Sequence, residues 1–291
     1  MFEGVYTALV TPFDEDGRID EDTLAMLVDR QIEGGVQGLV PMGTTGESPT
    51  LDHEEHIRII RLVAEHCGGR VPVIAGTGSN STAEAIALSR RAGEAGATAT
   101  LHVAPYYNKP TQEGLYRHYR KIAEETEIPI VVYNIPGRTG RNIENSTMLR
   151  LAEHARIAAV KDATGNLAQL MNLIQSKPDR FVVLSGDDNL TLPMITLGAR
   201  GVISVASNLV PEAVSRFVGL ALKGSIGKAR EEHYRLLPLF EALFIETNPI
   251  PIKAAMALSG LIKETYRLPM CPLSAENRAR LVQVLEKLEL L

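Results

Sequence analysis

Short apolar runs recur along the chain with helical patterns between them, and this alternation constrains the fold more than any other feature of the sequence. Nearly continuous apolar runs are typical of parallel strands that are buried on both faces. Eight such runs occur, spaced by roughly 20 to 35 residues. The predicted strands are Val5–Val10, Gly38–Pro41, Val71–Ala75, Ala99–Ala104, Ile130–Tyr133, Ala158–Lys161, Phe181–Ser185 and Gly201–Val205.

The stretches between these strands carry apolar residues at helical spacing, and several begin at a residue that caps helices, such as Asp52. The predicted helices are Glu21–Gly34, His53–Cys67, Ala83–Ala95, Gly114–Glu125, Ser146–Glu153 and Leu167–Gln175.

Eight strand–helix units favour a parallel sheet that closes into a (β/α)8 TIM barrel, an α/β fold. An open, doubly wound sheet stays an alternative, because a strand count does not prove closure. The chain of 291 residues is long enough for one barrel, which takes about 250 residues. We predict a barrel domain over residues 1–224 and a C-terminal helical domain over residues 225–291. The helices predicted after the last strand are Pro211–Leu222, Ile226–Ile245, Ile252–Ser259 and Ser274–Leu290.

Charge and cysteine usage argue against several classes of protein. A formal net charge of −5 does not suit a protein whose main partner is nucleic acid. Cys67 and Cys271 lack the spacing of a disulfide framework or a zinc site. The sequence shows neither a signal peptide nor an apolar run near the roughly 18 residues of a membrane span. We therefore expect a soluble, cytoplasmic protein with no membrane partner.

Lys161 is the first candidate for chemistry, because it ends the apolar run of the sixth strand just before a turn. The site of a (β/α)8 barrel lies at the carboxyl ends of its strands. Partial burial there disfavours the ammonium form, so that a neutral amine can attack a carbonyl group. The alternative is a lysine whose ammonium simply extends to water.

Neighbouring strand ends carry groups that such an amine needs. Thr44 and Thr45 follow the second strand within a Gly-Thr-Thr-Gly-Glu run, and Tyr133 ends the fifth strand. Hydroxyls and a phenol can relay protons. Arg138 lies in the loop after the fifth strand, and a guanidinium there can hold a carboxylate through two hydrogen bonds. Nothing in this set is a metal ligand, and we predict no metal.

Other motifs are weaker. His53-Glu54-Glu55-His56 lacks the spacing of a zinc protease, which needs its second histidine at the position of Ile57. No lysine follows the second glycine of the run after strand two, so a phosphate-binding loop is not supported. Asp187 and Asp188 could ligate a metal, but paired aspartates after a strand are more typical of turns and helix caps.

Three segments together resemble the dihydrodipicolinate synthase/N-acetylneuraminate lyase superfamily of Schiff-base lyases and aldolases, over essentially the whole chain. They are Gly43-Thr44-Thr45-Gly46-Glu47, Tyr133-Asn134-Ile135-Pro136-Gly137-Arg138-Thr139 and Lys161-Asp162-Ala163-Thr164-Gly165. Thr44-Thr45, Pro105-Tyr106-Tyr107 and Arg138-Thr139 resemble the lysine-biosynthesis branch. That branch condenses pyruvate with L-aspartate 4-semialdehyde to give 4-hydroxy-tetrahydrodipicolinate.

The resemblance implies a role for each matching residue, a homotetramer built as a dimer of dimers, and no cofactor. Lys161 forms the imine with pyruvate, and Thr45 helps to bind the pyruvate carboxylate. Arg138 holds the carboxylate of the semialdehyde. The proton relay consists of Tyr133, Thr44 and Tyr107, with Tyr107 reaching into a neighbouring subunit, and the backbone at Gly186 and Ile203 lies against Lys161.

A second set of residues matches the feedback site for L-lysine, at the tight-dimer interface of lysine-inhibited members. Solvated helix residues and interface packing are the alternative interpretation. The set consists of Ser48, His53, His56, Asn80, Glu84 and Tyr106.

Two rival functions stay open. A sister pyruvate-dependent aldolase, such as N-acetylneuraminate lyase or a 2-keto-3-deoxy-sugar-acid aldolase, would share Lys161 and Tyr133, and Arg138 is the feature that argues against it. A non-catalytic barrel that binds a small ligand would leave Lys161 a structural role.

Overall fold

Eight parallel strands close into a barrel in the computed structural model of the chain, which describes residues 2–291. The strands β1 to β8 pair in the order β2-β1-β8-β7-β6-β5-β4-β3, and a parallel bridge between Leu39 and Val73 joins the two ends. This closure confirms the predicted TIM barrel and excludes the open sheet. The strands are Gly4–Ala8, Gly38–Val40, Ile74–Gly76, Ala99–Val103, Ile130–Asn134, Ile157–Asp162, Val182–Ser185 and Gly201–Ser204.

The helices surround the barrel, and local sequence sets many of their ends. Asp52 accepts hydrogen bonds from the first turn of its helix while Glu55 bonds back to the Asp52 backbone, and Gly68 ends that helix in the left-handed region. The helices α1 to α12 are Glu21–Glu33, His53–Cys67, Thr82–Glu94, Gln112–Glu125, Pro136–Thr139, Asn145–Ala152, Leu167–Ser176, Thr191–Thr196, Pro211–Leu222, Ile226–Ala242, Ile250–Leu258 and Ala275–Lys287.

Several elements differ from the sequence prediction. Strand β3 begins at Ile74 rather than Val71, because Pro72 has no N–H to donate to the sheet. Two helices were not predicted: α5, Pro136–Thr139, and α8, Thr191–Thr196. Helices of four and six residues are too short to display a periodic pattern.

The apolar side chains form an inner and an outer layer. Twelve buried residues fill the barrel interior, Tyr6, Tyr133, Leu184 and Ile203 among them. Two further clusters lie between the strands and the helices. The helices after residue 225 contribute to one of these clusters, for example through Phe240. The division into domains at residues 224 and 225 stays a prediction.

Within residues 2–291, no helix is both long and apolar enough to cross a membrane.

Candidate active site

A small cavity of about 50 Å³ lies at the carboxyl-terminal mouth of the barrel. Its wall comes from the ends of several strands and from the loop that follows β2. Two wider surface depressions contain none of the predicted site residues. The polar and aromatic side chains that line the cavity are Thr44, Thr45, Ser48, His56, Tyr133 and Lys161.

Lys161 is buried at the end of β6, with 6% of its surface exposed. Its amine forms no ion pair with any carboxylate of residues 2–291. Burial lowers the pKa of Lys161 to about 8, and Arg138 acts in the same direction, while the carboxylates of Asp187 and Asp188 oppose the shift. At pH 7.4 a pKa of 8 leaves about one fifth of the amine neutral, against about one part in a thousand at the ordinary value. A neutral amine is therefore available near neutral pH.

Tyr133 lies directly beside Lys161, because the two residues are paired across β5 and β6. The Lys161 Nζ atom is 4.2 Å from the centroid of the Tyr133 ring. Burial raises the pKa of the Tyr133 phenol. The hydroxyl therefore stays protonated near neutral pH and can act as a proton donor, but it is a weak base without help.

Thr44 and Thr45 stand on the opposite side of the mouth, in the one-turn helix Thr44–Gly46 that follows β2. Both line the cavity, and Thr45 is buried. The Nδ2 of Asn248 donates a hydrogen bond of 3.0 Å to the Thr45 hydroxyl. This contact fixes the orientation of the Thr45 side chain.

Asn248 is a site residue that the sequence analysis missed. It is buried at the start of α11, and its Oδ1 atom has no hydrogen-bond partner within residues 2–291. Its carbonyl accepts a bond of 3.1 Å from the Arg138 guanidinium, so one residue connects the loops of Thr45 and Arg138. The only local signal is Asn-Pro before a helix, which is also found at ordinary helix starts.

Arg138 lies in the short helix α5 at the rim, where its side chain is exposed. Only its Nη2 is held, by the Asn248 carbonyl. The remaining donors of the guanidinium are free to bind an anion that enters the mouth.

Gly186 lies against the side chain of Lys161, and Ile203 lies in the barrel interior. A Cβ atom added to Gly186 would stand 3.1 Å from the Cε of Lys161 and 2.7 Å from the Cβ of Ala163. Any side chain there would clash with Ala163 and crowd the lysine. Ile203 is fully buried in the barrel interior together with Tyr133.

Tyr107 does not line the cavity of its own chain. Its side chain is 90% exposed, and its backbone has a φ of 68°. A bulky residue in the left-handed region is strained, so other contacts must hold this loop. Asn80 and Asn108 bond across its base, with the Asn80 side chain donating to the Tyr106 carbonyl at 3.1 Å.

The residues matched to a lysine site fall into two groups. Ser48 and His56 line the cavity, and the Nε2–H of His56 donates to the Gly76 carbonyl at 2.7 Å. Glu84 pairs instead with His53, whose Nε2 is 2.8 Å from its carboxylate. The Ser79 hydroxyl donates to the second oxygen of Glu84.

Asn80 bonds to the Tyr106 backbone at the base of the Tyr107 loop. Burial raises the pKa of the Tyr106 phenol, and the nearby charge of Glu84, which pairs with His53, acts in the same direction, so these four residues lie close together.

Asp187 and Asp188 have different surroundings. The Asp188 carboxylate accepts hydrogen bonds from the backbone N–H groups of Val205 and Ala206, at 3.0 and 2.9 Å. Asp188 is therefore a structural residue. Burial raises the pKa of Asp187 to about 6, although the charge of Lys161 acts against that shift. Within residues 2–291, no group of three or more histidine, cysteine, aspartate or glutamate side chains is arranged to hold a metal ion.

The fold and the cavity define a TIM-barrel enzyme whose site combines a buried amine, a phenol and two hydroxyls. The chain belongs to the dihydrodipicolinate synthetase family, which it matches over residues 1–288. It is 54% identical over 286 residues to the 4-hydroxy-tetrahydrodipicolinate synthase of Pelobacter propionicus, covering 98% of both chains. The protein is therefore a lyase of this family.

Solved structures of related proteins have the same fold as this chain over its full length. The chloride-inhibited dihydrodipicolinate synthase of Acinetobacter baumannii, complexed with pyruvate, is 43% identical, with a TM-score of 0.98 over 100% of both chains. The lysine-bound enzyme of Cyanidioschyzon merolae is 41% identical, with a TM-score of 0.97 over 100% of this chain and 99% of the other.

Proposed function

We propose that the protein condenses pyruvate with L-aspartate 4-semialdehyde, through a Schiff base on Lys161, to give 4-hydroxy-tetrahydrodipicolinate for lysine and diaminopimelate biosynthesis. The observation that carries this proposal is the buried amine of Lys161, which has no ion-pair partner among residues 2–291 and lies 4.2 Å from the centroid of the Tyr133 ring, at the wall of the cavity. A related enzyme of the family has been crystallised with pyruvate.

The chemistry follows from the neutral amine. Lys161 attacks the ketone of pyruvate and expels water, which gives an imine that withdraws electrons from the methyl carbon. Loss of a methyl proton then yields an enamine. Its carbon attacks the aldehyde of the semialdehyde. The amino group of the semialdehyde next attacks the imine carbon, closes the ring and releases the Lys161 amine.

Tyr133, Thr44 and Tyr107 supply the proton transfers in this proposal. Since burial raises the pKa of Tyr133, its phenol needs further hydroxyls to exchange protons with water. Thr44 lines the same cavity.

Tyr107 acts in the site of a neighbouring subunit, and we propose a homotetramer built as a dimer of dimers. The support is the exposure and the left-handed backbone of Tyr107. Such strain is commonly stored where a residue serves a function.

The substrate acids bind at two places. Thr45 and its neighbouring backbone bind the pyruvate carboxylate, with the backbone at Gly186 and Ile203 packed behind Lys161. Arg138 binds the carboxylate of the semialdehyde at the rim. Its exposed guanidinium suits an acceptor aldehyde that itself carries a carboxylate, as the semialdehyde does.

The test is borohydride trapping with pyruvate and mass mapping, paired with an assay of semialdehyde consumption. We expect the added mass on the Lys161 peptide and rapid consumption of the semialdehyde. An unmodified Lys161 peptide would contradict the enzyme interpretation. Trapping accompanied by cleavage of a sugar acid, without use of the semialdehyde, would identify a sister aldolase.

Arg138→Ala tests the acceptor assignment. The expected result is a loss of about 10- to 100-fold in kcat/KM for the semialdehyde, because a charge-assisted, bidentate contact disappears. Pyruvate trapping should stay within about twofold of the native protein. An equal loss of both would contradict the role given to Arg138.

Feedback inhibition by L-lysine is a second proposal, favoured by the clustering of His53, Glu84, Asn80 and Tyr106. Glu84 would hold the ammonium groups of the ligand, and a lysine-bound member of the family exists. Thermal unfolding with millimolar L-lysine tests this, with Glu84→Gln as the insensitive control. No response of activity or unfolding temperature in the native protein would reject it.

We also propose a cytoplasmic location. Its support is that Cys67, which is buried, and Cys271, which is exposed, are both free cysteines, as is usual in a reducing compartment.

A further inference from the structure

A buried ion pair joins the loop after β2 to the C-terminal helix α11. The Nζ of Lys253 is 2.5 Å from the Oε1 of Glu47, and neither side chain is exposed to solvent. Glu47 directly follows Thr44-Thr45-Gly46 and precedes Ser48. The pair is therefore attached to the loop that lines the candidate pyruvate site.

Glu47 is the junction of two tight turns and has a strained backbone. Its N–H donates to the Thr44 carbonyl at 3.1 Å, and its own carbonyl accepts from the N–H of Thr50 at 2.9 Å. Its φ of 54° lies in the left-handed region, which a glutamate adopts only when tertiary contacts impose it. The buried contact with Lys253 is the strongest such contact on its side chain.

The second oxygen of Glu47 accepts a hydrogen bond of 3.3 Å from the backbone N–H of Arg267. Both carboxylate oxygens are therefore bound to the C-terminal segment. This arrangement restricts the rotamers of the Glu47 side chain. The position of Glu47 in turn restricts the two tight backbone turns that meet at this residue.

The same C-terminal segment also reaches Thr45. Asn248 at the start of α11 donates to the Thr45 hydroxyl, and the Lys253 N–H donates to the carbonyl of the neighbouring Pro249 at 3.0 Å. Helix α11 and the residue before its N-cap thus contact the loop at two points, on Glu47 and on Thr45. Two contacts define both the position and the rotation of the loop relative to Lys161.

The surroundings of Lys253 favour a charged pair in this position. Its Nζ lies 4.3 Å from the Phe13 ring centroid and 5.3 Å from that of Tyr266. Burial lowers the pKa of Lys253, and the charge of Glu47 opposes that shift. A buried ion pair often stabilises a protein no more than apolar residues of similar volume do. Stability alone therefore does not explain this pair, and its directional geometry suits a role in positioning the loop.

We propose that Glu47 and Lys253 are positioning residues, which hold the Thr45 hydroxyl in place to capture the pyruvate carboxylate next to Lys161. This inference rests on the proposed function. Neither residue lines the cavity. Their effect should therefore appear in the concentration dependence of pyruvate capture rather than in the later steps.

The test compares Glu47→Gln, Lys253→Met and the double variant, which removes both charges and keeps the volume. Each single variant leaves one charge buried and uncompensated, so it should unfold at a lower temperature than the double variant. The double variant should need about tenfold more pyruvate for half-maximal trapping, because small displacements of a binding group weaken capture strongly. Its kcat at saturating pyruvate should change by less than about threefold.

A double variant with native pyruvate dependence would show that the pair is only structural and would overturn the proposal. If the double variant fails to fold, Glu47→Asp keeps both charges and retracts the carboxylate by one methylene. This variant should also raise the half-maximal pyruvate concentration by several-fold, and an unchanged value would overturn the proposal equally.

A matched control is the ion pair of Arg216 and Glu232, which joins α9 and α10 without touching the loop. The double variant Arg216→Met/Glu232→Gln should leave the pyruvate dependence unchanged. If the native protein itself traps no pyruvate, the proposed function fails. If it does and the Glu47→Gln/Lys253→Met variant matches it, only the positioning inference fails.

Discussion

The protein buries two lysines, Lys161 and Lys253, and gives them different surroundings. Lys253 has a carboxylate at 2.5 Å and two aromatic rings around its ammonium. Lys161 has an aromatic ring at 4.2 Å, a cavity in front of it and no ion-pair partner in residues 2–291. Burial disfavours the charge of both amines, but only Lys253 has a directly bound counter-charge.

The comparison teaches that burial alone does not make a lysine nucleophilic. Burial must be combined with the lack of a directly bonded carboxylate and with open space for the carbonyl that is attacked. Lys161 meets these conditions, because Asp187 and Asp188 raise its pKa only partly toward the ordinary value. The same reasoning assigns Lys253 a charged, structural state.

Lys161→Ala should give the largest effect. Without the amine no imine can form, so borohydride trapping should disappear and turnover should fall by about 10³-fold or more. Mass mapping of the trapped protein checks this. Lys253→Met is the control and should still show the pyruvate adduct on the Lys161 peptide at saturating pyruvate. An adduct on Lys253 in the native protein would contradict the inference that its ion pair makes this lysine unreactive.

Methionine substitutions at the two lysines should change stability in opposite directions. Lys253→Met leaves Glu47 buried and uncompensated, which should lower the free energy of unfolding by about 3–5 kcal/mol. Lys161→Met removes a buried ammonium that no carboxylate of the described residues binds, and it should raise the free energy of unfolding by about 1–3 kcal/mol at pH 7. Denaturant unfolding at one protein concentration measures both. A loss of stability in both variants would contradict the assignment.

The direction for Lys161 follows from proton linkage. Its pKa is about 8 in the folded protein and about 10.5 when unfolded, so the unfolded chain binds more protons between these values. The stability of the native protein should therefore gain a contribution as pH rises from 8 to 10.5. In Lys161→Met this contribution should be absent.

The rate of imine formation should follow the neutral fraction of Lys161. With a pKa of about 8 the rate should rise about tenfold from pH 7 to pH 9 and then level off. Single-turnover trapping with saturating pyruvate measures this profile. A rate that keeps rising tenfold per pH unit beyond pH 9 would show that burial does not lower the pKa of Lys161.

Asp187→Asn should give the smallest effect. Among the charges that raise the pKa of Lys161, that of Asp187 has the largest effect. Its neutralisation should therefore move the midpoint of the pH profile of imine formation toward lower pH. Imine formation at pH 7 should then increase by less than about threefold, provided that the cavity is otherwise unchanged. A midpoint that moves to higher pH would show that Asp187 does not act through its charge.

Local sequence was sufficient for much of the fold and for part of the site. The strand–helix alternation predicted the barrel, because each strand carries its own apolar run and each helix its own period. Lys161 and Tyr133 could be predicted as neighbours, since each ends a strand and consecutive strands of such a barrel are adjacent. These features depend on residues that are close together in the chain.

Only the tertiary structure decided which distant residues complete the site. Asn248 and Lys253 bond to Thr45 and Glu47, about 200 positions earlier, and neither contact leaves a local pattern. The pairing of Glu84 with His53 likewise leaves no local pattern in the sequence. The sequence by itself determined where an amine could become a nucleophile. The packing of α11 against the loop after β2 decided which lysine has a counter-charge and which is left to react, because burial and charge pairing depend on the whole folded chain.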